Sequence, residues 1–309
     1  MVSIQNLEIE IQELLKEKKY SEIIFQINSK TKEEDRNSGL FVLLGISRMS
    51  LNKKDKDQVK LAVRDFKKGY LKEKTSENSL NALVNFVIAS AILSDFENTN
   101  VNFDEIKSFY NESPISFQNK RPINIAMTAI YKRLNNHKEM LFHLEKVINS
   151  GDFISNDLCI YGYWRCFDKG WSQKEFFEYG KFVDKNLIEY SKDKLTKLSN
   201  EKNKKIKLGI LSADLKAGHS ITYFLKTILL NYNKKEIEIY LFSNQIDDKV
   251  ISPEITNLVY KTINIGKLSE LIALNKIREF NLDIMIDVMG YTSRNRIGLF
   301  KNRIAKKQI

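Results

Sequence analysis

The chain has 309 residues, 42% apolar and 11% aromatic, which is enough for two domains with full cores and excludes a disordered protein. The net charge of +11 is carried by lysines interleaved with glutamates, as in Lys16-Glu17-Lys18-Lys19 and Lys72-Glu73-Lys74, with no nucleic-acid-binding motif beside them. It reads as solvated helix faces and a general bias toward Lys, Asn and Ile, so no nucleic-acid partner is expected. No stretch approaches the roughly 20 apolar residues of a membrane span, and residues 1–8 hold neither a basic region nor a signal core; a soluble, cytoplasmic chain with no membrane partner is expected.

From the N-terminus to about residue 190 the apolar period is helical almost throughout. Only Pro114 and Pro122 interrupt it, close together in a loop between helices. Predicted helices pair off as 7–17 with 21–29, 40–51 with 58–72, 81–93 with 103–110, and 123–134 with 138–149. Short polar links within each pair imply antiparallel hairpins. Second helices carry apolar or small residues at i, i+4 and i+7: Ala62, Phe66 and Gly69, then Met140, Leu144 and Val147, with Ile106 and Tyr110 between them and Ile23 and Ile27 before. The steps from Ala62 to Ile106 and on to Met140 are 44 and 34 residues, and the second matches the tetratricopeptide period. Leu44-Gly45 followed by Arg48 resembles the Leu-Gly pair of that repeat's first helix. A degenerate tetratricopeptide-like array over residues 1–192 is expected, with an ordinary helical domain as the alternative. Such an array presents a concave surface to a protein or peptide partner.

His137 at a helix–helix turn and His143 within a helix read as surface or packing residues. Cys159 and Cys166 are seven residues apart, about 10 Å of helical rise, too far for a disulfide within a helix. Buried thiols are expected, and no Cys/His spacing resembles a zinc site, so no metal is expected. Trp164 and Trp171 bracket the end of the array and are expected to pack it onto the next domain. The polar, lysine-rich stretch 193–205 reads as a linker.

Beyond it the pattern changes to alternating strands (206–211, 237–242, 261–265, 282–288) and helices (220–232, 253–260, 268–280, 295–303), with Pro253 suited to a helix's first turn. That alternation implies a Rossmann-like parallel sheet covered on both faces, α/β after α, with chemistry at the carboxyl ends of its strands. His219 comes after the first strand and Gly290-Tyr291-Thr292 after the last, so the same sheet edge is expected to carry both. A dinucleotide site is excluded, because Gly218 is the one glycine between Leu211 and Ser220 where the Gly-x-Gly-x-x-Gly pattern needs three. No Walker-type loop and no serine nucleophile elbow occurs.

Several pieces in order carry a family resemblance: Lys207-Leu-Gly-Ile-Leu-Ser-Ala-Asp214, Gly218-His219, Glu238-Ile-Tyr-Leu-Phe-Ser243, Leu282-Asp-Ile-Met-Ile-Asp287 and Gly290-Tyr-Thr292, then Asn295-Arg296, Phe300 and Arg303. Together they resemble the N-terminal catalytic lobe of the O-linked N-acetylglucosamine transferases, glycosyltransferase family 41. Upstream, Trp164-Arg-Cys-Phe-Asp-Lys-Gly-Trp171-Ser-Gln-Lys-Glu-Phe-Phe177 resembles the segment that joins that family's tetratricopeptide array to its catalytic part. The likeness covers residues 156–309, half the chain. The family follows its late arginine with prolines, Gln and a Trp-Leu-Gly-Tyr strand; here Arg303 is followed by Ile-Ala-Lys-Lys-Gln308-Ile309.

The resemblance implies half of a two-lobe GT-B fold, a UDP-sugar donor rather than a bound cofactor, and a protein Ser/Thr hydroxyl as acceptor. The family's second lobe, which holds most of its nucleotide-binding groups, is not found in these 309 residues, so the chain alone is expected not to transfer sugar and to take a second-lobe chain or its own copy as partner. Sugar transfer needs a proton path and charge stabilisation. An imidazole titrates near neutral pH, and the resemblance places His219 close to sugar and acceptor, as base or positioning group; a helix cap is the plain alternative. Asp214 could orient it or bind acceptor, or be a solvated loop residue. Gly290 permits positive φ or close approach, with Tyr291 and Thr292 offering hydroxyls, or the three form a simple turn. Two rival readings are a non-catalytic tetratricopeptide scaffold and one subunit of a split glycosyltransferase.

Overall fold

The computed structural model describes residues 4–168, 170–190 and 205–309. Contacts divide the chain into two compact units, Met1–Phe153 and Ile154–Ile309.

The first unit holds α1 (Ile4–Lys16), α2 (Tyr20–Lys30), α3 (Ser38–Asn52), α4 (Lys56–Lys72), α5 (Glu77–Leu93), α6 (Phe103–Glu112), α7 (Ile115–Gln118), α8 (Arg121–Arg133) and α9 (His137–Ser150). Side-chain caps punctuate it: Asn37, Asp55, Ser76, Asn102 and Asn136 each accept a hydrogen bond from a free amide in the adjoining first turn. Gly151, at φ +75°, ends α9. The anchoring residues of the sequence pattern, Ile23, Ile27, Ala62, Phe66, Ile106, Met140, Leu144 and Val147, are all buried. Each large one stabilises the fold by about 1.5–3 kcal/mol. Two features differ from expectation. The Pro114–Pro122 loop contains α7, with Pro114 as its N-cap and Pro122 in the first turn of α8. And α5 packs chiefly on α4, α8 and α3, while α6 touches it more narrowly, through Phe109 on Phe86.

The second unit begins with α10 (Ser155–Arg165) and α11 (Gln173–Asn186). Sequence period alone assigns both to the array; the contacts assign them to the lobe, because their shared face is aromatic and meets residues that come after the fourth strand of the sheet. Trp171 packs on Tyr161, Tyr179 and Phe176 within this pair. Cys159 is buried as expected, but α10 ends before Cys166, which is exposed. The expected linker lies outside the described residues except for Lys205.

The sheet and its helices come next in the chain: β1 (Ile206–Ser212), α12 (Ser220–Asn231), β2 (Ile237–Ser243), α13 (Pro253–Thr256), β3 (Lys261–Asn264), α14 (Glu270–Arg278), β4 (Leu282–Asp287), α15 (Ile297–Lys301) and β5 (Ala305–Gln308). The sheet is parallel, in the order β3-β2-β1-β4-β5. Alternate residues serve opposite faces: Ile210, Ile239 and Leu241 pack with Leu225 and Leu229 of α12, whereas Leu211, Tyr240 and Phe242 pack with Ala273, Leu274 and Ile277 of α14. Strand β5 was not expected, since Lys306 and Lys307 disguise it; Lys306 ion-pairs with Asp283 at 2.9 Å, and Gln308 donates to the Phe300 carbonyl. Strand order reverses at β1 and β4, so their carboxyl ends form the crevice where ligands of such sheets bind. No described helix is long and apolar enough to cross a membrane.

Candidate functional site

His219 comes after β1 as the N-cap of α12, in extended backbone. Its Nδ1 accepts the Ile221 amide at 3.4 Å. In the neutral ring that leaves the proton on Nε2, which lies 3.8 Å from Asp214 Oδ1, beyond hydrogen-bonding distance. Asp214 is held by its own amide, which donates to Ser212 Oγ at 3.0 Å, and by Thr222, whose hydroxyl reaches the Asp214 and Lys216 carbonyls. His219 is thus both a helix cap and an N–H donor facing a carboxylate.

Across the crevice, β4 ends in a tight turn. Asp287 accepts from the Met289 and Gly290 amides at 3.0 and 2.9 Å, and burial pushes its carboxyl up. Gly290 stands at φ +55°, a conformation that favours glycine. Thr292 uses its hydroxyl on the Met289 carbonyl at 2.8 Å. Tyr291 does not open onto the crevice: its ring packs on Phe176 and Tyr179, and burial pushes its hydroxyl up to about 12. The structure therefore places His219, Asp214, Gly290 and Thr292 at the carboxyl ends of adjacent parallel strands, with Tyr291 turned away to seat α10 and α11.

That seat depends on Gly162. A Cβ there would come within 2.8 Å of the Tyr291 ring and 2.9 Å of the Tyr179 ring. Gly162→Ala is expected to cost about 1–3 kcal/mol by overpacking. Chemical denaturation followed by tryptophan fluorescence checks it, since both tryptophans lie in this unit; an unchanged midpoint would mean that the rings yield freely.

Arg294 was not among the expected residues. It sits at φ +61°, an uncommon backbone for a side chain with Cβ, held by Asn244 Nδ2 donating to its carbonyl at 2.7 Å. Its guanidinium donates to Gln245 Oε1 at 3.2 Å and lies 3.9 Å from the same Asp214 oxygen that faces His219. Arg296 is buried and tied to Asn244, to the Ile265 and Leu268 carbonyls, and at 3.8 Å to Glu270. Asn244 and Gln245 come directly after β2, so the strand-end rule that singled out His219 would have found them too.

A cavity of about 230 Å³ lies beside this network, lined among others by Asn156 and Cys159 of α10, Tyr190, Glu270, Arg294 and Asn295. Burial pushes up both the Glu270 carboxyl and the Cys159 thiol, whose sulfur donates to Asn295 Oδ1. Among the described residues, no group of three or more His, Cys, Asp or Glu stands close enough to hold a metal ion.

No family model and no curated protein matches the sequence. Among solved structures, a mutant of the Thermobaculum terrenum O-GlcNAc transferase matches with a TM-score of 0.58 at 11% identity, over 90% of this chain and 51% of that one. The fold is similar to that of an O-GlcNAc transferase. It comprises a helical array and an α/β lobe with a five-stranded parallel sheet, and the chain spans about half the length of the matched structure.

Proposed function

We propose that this chain is the tetratricopeptide-like array and first catalytic lobe of a GT-B-type glycosyltransferase, which moves a sugar from a UDP-sugar to a protein Ser or Thr hydroxyl. The observation that carries this reading is the structural likeness to an O-GlcNAc transferase along 90% of the chain. The geometry of the strand ends supports it, since His219, Asp214 and the Gly290 turn meet at the switch point.

In this reading the acceptor or sugar hydroxyl enters between β1 and β4. His219, with Nδ1 occupied, presents an Nε2–H donor and positions a hydroxyl or phosphate oxygen. Asp214 accepts from that hydroxyl, and Arg294 places positive charge where the leaving diphosphate gathers negative charge. The helical array delivers the protein acceptor. Labelled-sugar transfer from UDP-N-acetylglucosamine to a Ser/Thr peptide, with UDP titration calorimetry and with the second lobe of an O-GlcNAc transferase supplied in trans because the chain alone is not expected to turn over, tests the reading. His219→Ala is expected to lower turnover by at least about 100-fold with UDP affinity within about threefold, while His219→Asn, which keeps the cap, separates lost chemistry from a frayed α12. Transfer unchanged by His219→Ala would remove this site from the mechanism.

A non-catalytic scaffold is the second reading, favoured by one observation: Tyr291 and Thr292 spend their side chains on packing and on the turn itself. Absence of both UDP binding and transfer with the second lobe supplied would decide for it.

A further inference from the structure

We propose that the cavity between α10 and the loop joining β4 to α15 is a binding site for a single sugar unit. Four separate segments of the second unit wall it: the first turns of α10, the residues just after α11, the start of α14 and the loop after β4. At about 230 Å³ it is smaller than the ~300 Å³ at which pockets begin to take whole drug-sized ligands, so it holds one ring rather than a complete nucleotide sugar.

The lining matches a polyhydroxylated ligand. Vicinal hydroxyls donate and accept at once, and planar side chains meet them in pairs. Asn156 offers an amide, Arg294 offers donors and Glu270 offers acceptors, while the Asn295 amide is committed to the Thr292 carbonyl and the Ile297 amide and shapes the wall. Neither charged group is consumed by a close ion-pair partner: Arg294 stands 3.9 Å from Asp214, and Glu270 stands 3.8 Å from Arg296. Tyr190 adds a partly exposed ring, a face for the apolar side of a pyranose, and its amide is pinned by Asn302 Oδ1 at 2.6 Å. A purely apolar ligand would desolvate Arg294 and Glu270 while leaving each with only distant charge partners, at 3.9 and 3.8 Å. A metal ion would find a single carboxylate, Glu270, among the described residues that line it.

The inference uses no step of the transfer reaction and shares with the proposed site only Arg294. Saturation-transfer NMR on the full chain, with N-acetylglucosamine and glucose as sugar probes and nicotinamide as a non-sugar ring, tests it. A sugar signal at millimolar concentration, absent for nicotinamide, is expected. Asn156→Trp, placed on the exposed side of α10, is expected to fill the mouth and weaken sugar binding at least tenfold with an unchanged melting temperature, and Glu270→Gln to weaken it several-fold. No sugar signal, or equal signals from both variants and the unaltered chain, would overturn the assignment. The transfer assay with the second lobe supplied separates the two ideas: sugar binding without transfer leaves this cavity standing and counts against the transferase reading alone.

Discussion

Arg48→Ala is expected to destabilise the first unit by about 3–5 kcal/mol, a large share of the roughly 5–15 kcal/mol that holds a domain together. Arg48 Nε donates to Asp65 Oδ2 at 2.7 Å between α3 and α4, and the Asp65 side chain is only 2% exposed. Arg64, at 3.7 Å from the other oxygen, is half-exposed and a poor substitute. Burial raises the Asp65 carboxyl even with Arg48 present, so desolvation already outweighs the pairing. Without the guanidinium the buried carboxylate has no close donor, and the cheapest escape is to take up a proton. The loss is therefore expected to shrink as pH falls, because a raised folded-state carboxyl costs stability progressively above its unfolded value. Replacing both partners, Arg48→Met with Asp65→Leu, is expected to be milder than Arg48→Ala alone. Denaturant titration by far-UV circular dichroism reads this unit, as the tryptophans report the other. A loss below about 1 kcal/mol would show that the pair is solvated and contributes little.

The second large effect is a pH dependence carried by His143. Its ring is buried, stacked on Tyr131 and edge-on to Tyr110 and Phe142, with Nδ1 2.8 Å from Asn124 Oδ1. Asn124 also accepts from the Tyr110 hydroxyl, which in turn accepts from Lys146. Burial first, and the Lys146 charge second, push the imidazole down from 6.5 to about 4. Above about pH 6.5 neither the folded nor the unfolded chain is protonated there, and the full stability is present. Between about 6.5 and 4 the unfolded chain binds a proton that the folded chain refuses, so stability falls by up to about 1.4 kcal/mol per pH unit, about 3 kcal/mol in all. His143→Gln removes this contribution. Its stability curve is expected to be flatter than that of the unaltered chain over that window, although lower at neutral pH. Parallel curves for the two proteins would show that His143 titrates normally.

The sequence by itself determined most of the helices, strands β1 to β4 and the sheet edge at which their carboxyl ends gather. Apolar spacing at i, i+4 and i+7 identified the buried faces of α2, α4 and α9, because a residue on that stripe has nowhere to go but a neighbouring helix. Short apolar runs alternating with helical ones marked β1 to β4, and strand ends pointed to His219 and Gly290. Gly290 at φ +55° is a requirement that a sequence can display, since few other residues accept it. What only the tertiary structure decided is partnership. Helical period says that α10 and α11 are helices but not which unit they join; their aromatic face and the close approach of Tyr291 to Gly162 decide that. The same packing turns Tyr291 away from the crevice, although its place beside Gly290 in the chain suggests the opposite. Strand β5 has too little apolar character to be legible and exists because β4 offers it a free edge. Arg294 and Glu270, 24 residues apart in sequence, become walls of one cavity only when the chain has crossed back over the sheet. Local preference is written along the chain, whereas a site assembled from loops at several strand ends depends on long-range closure that no short window records.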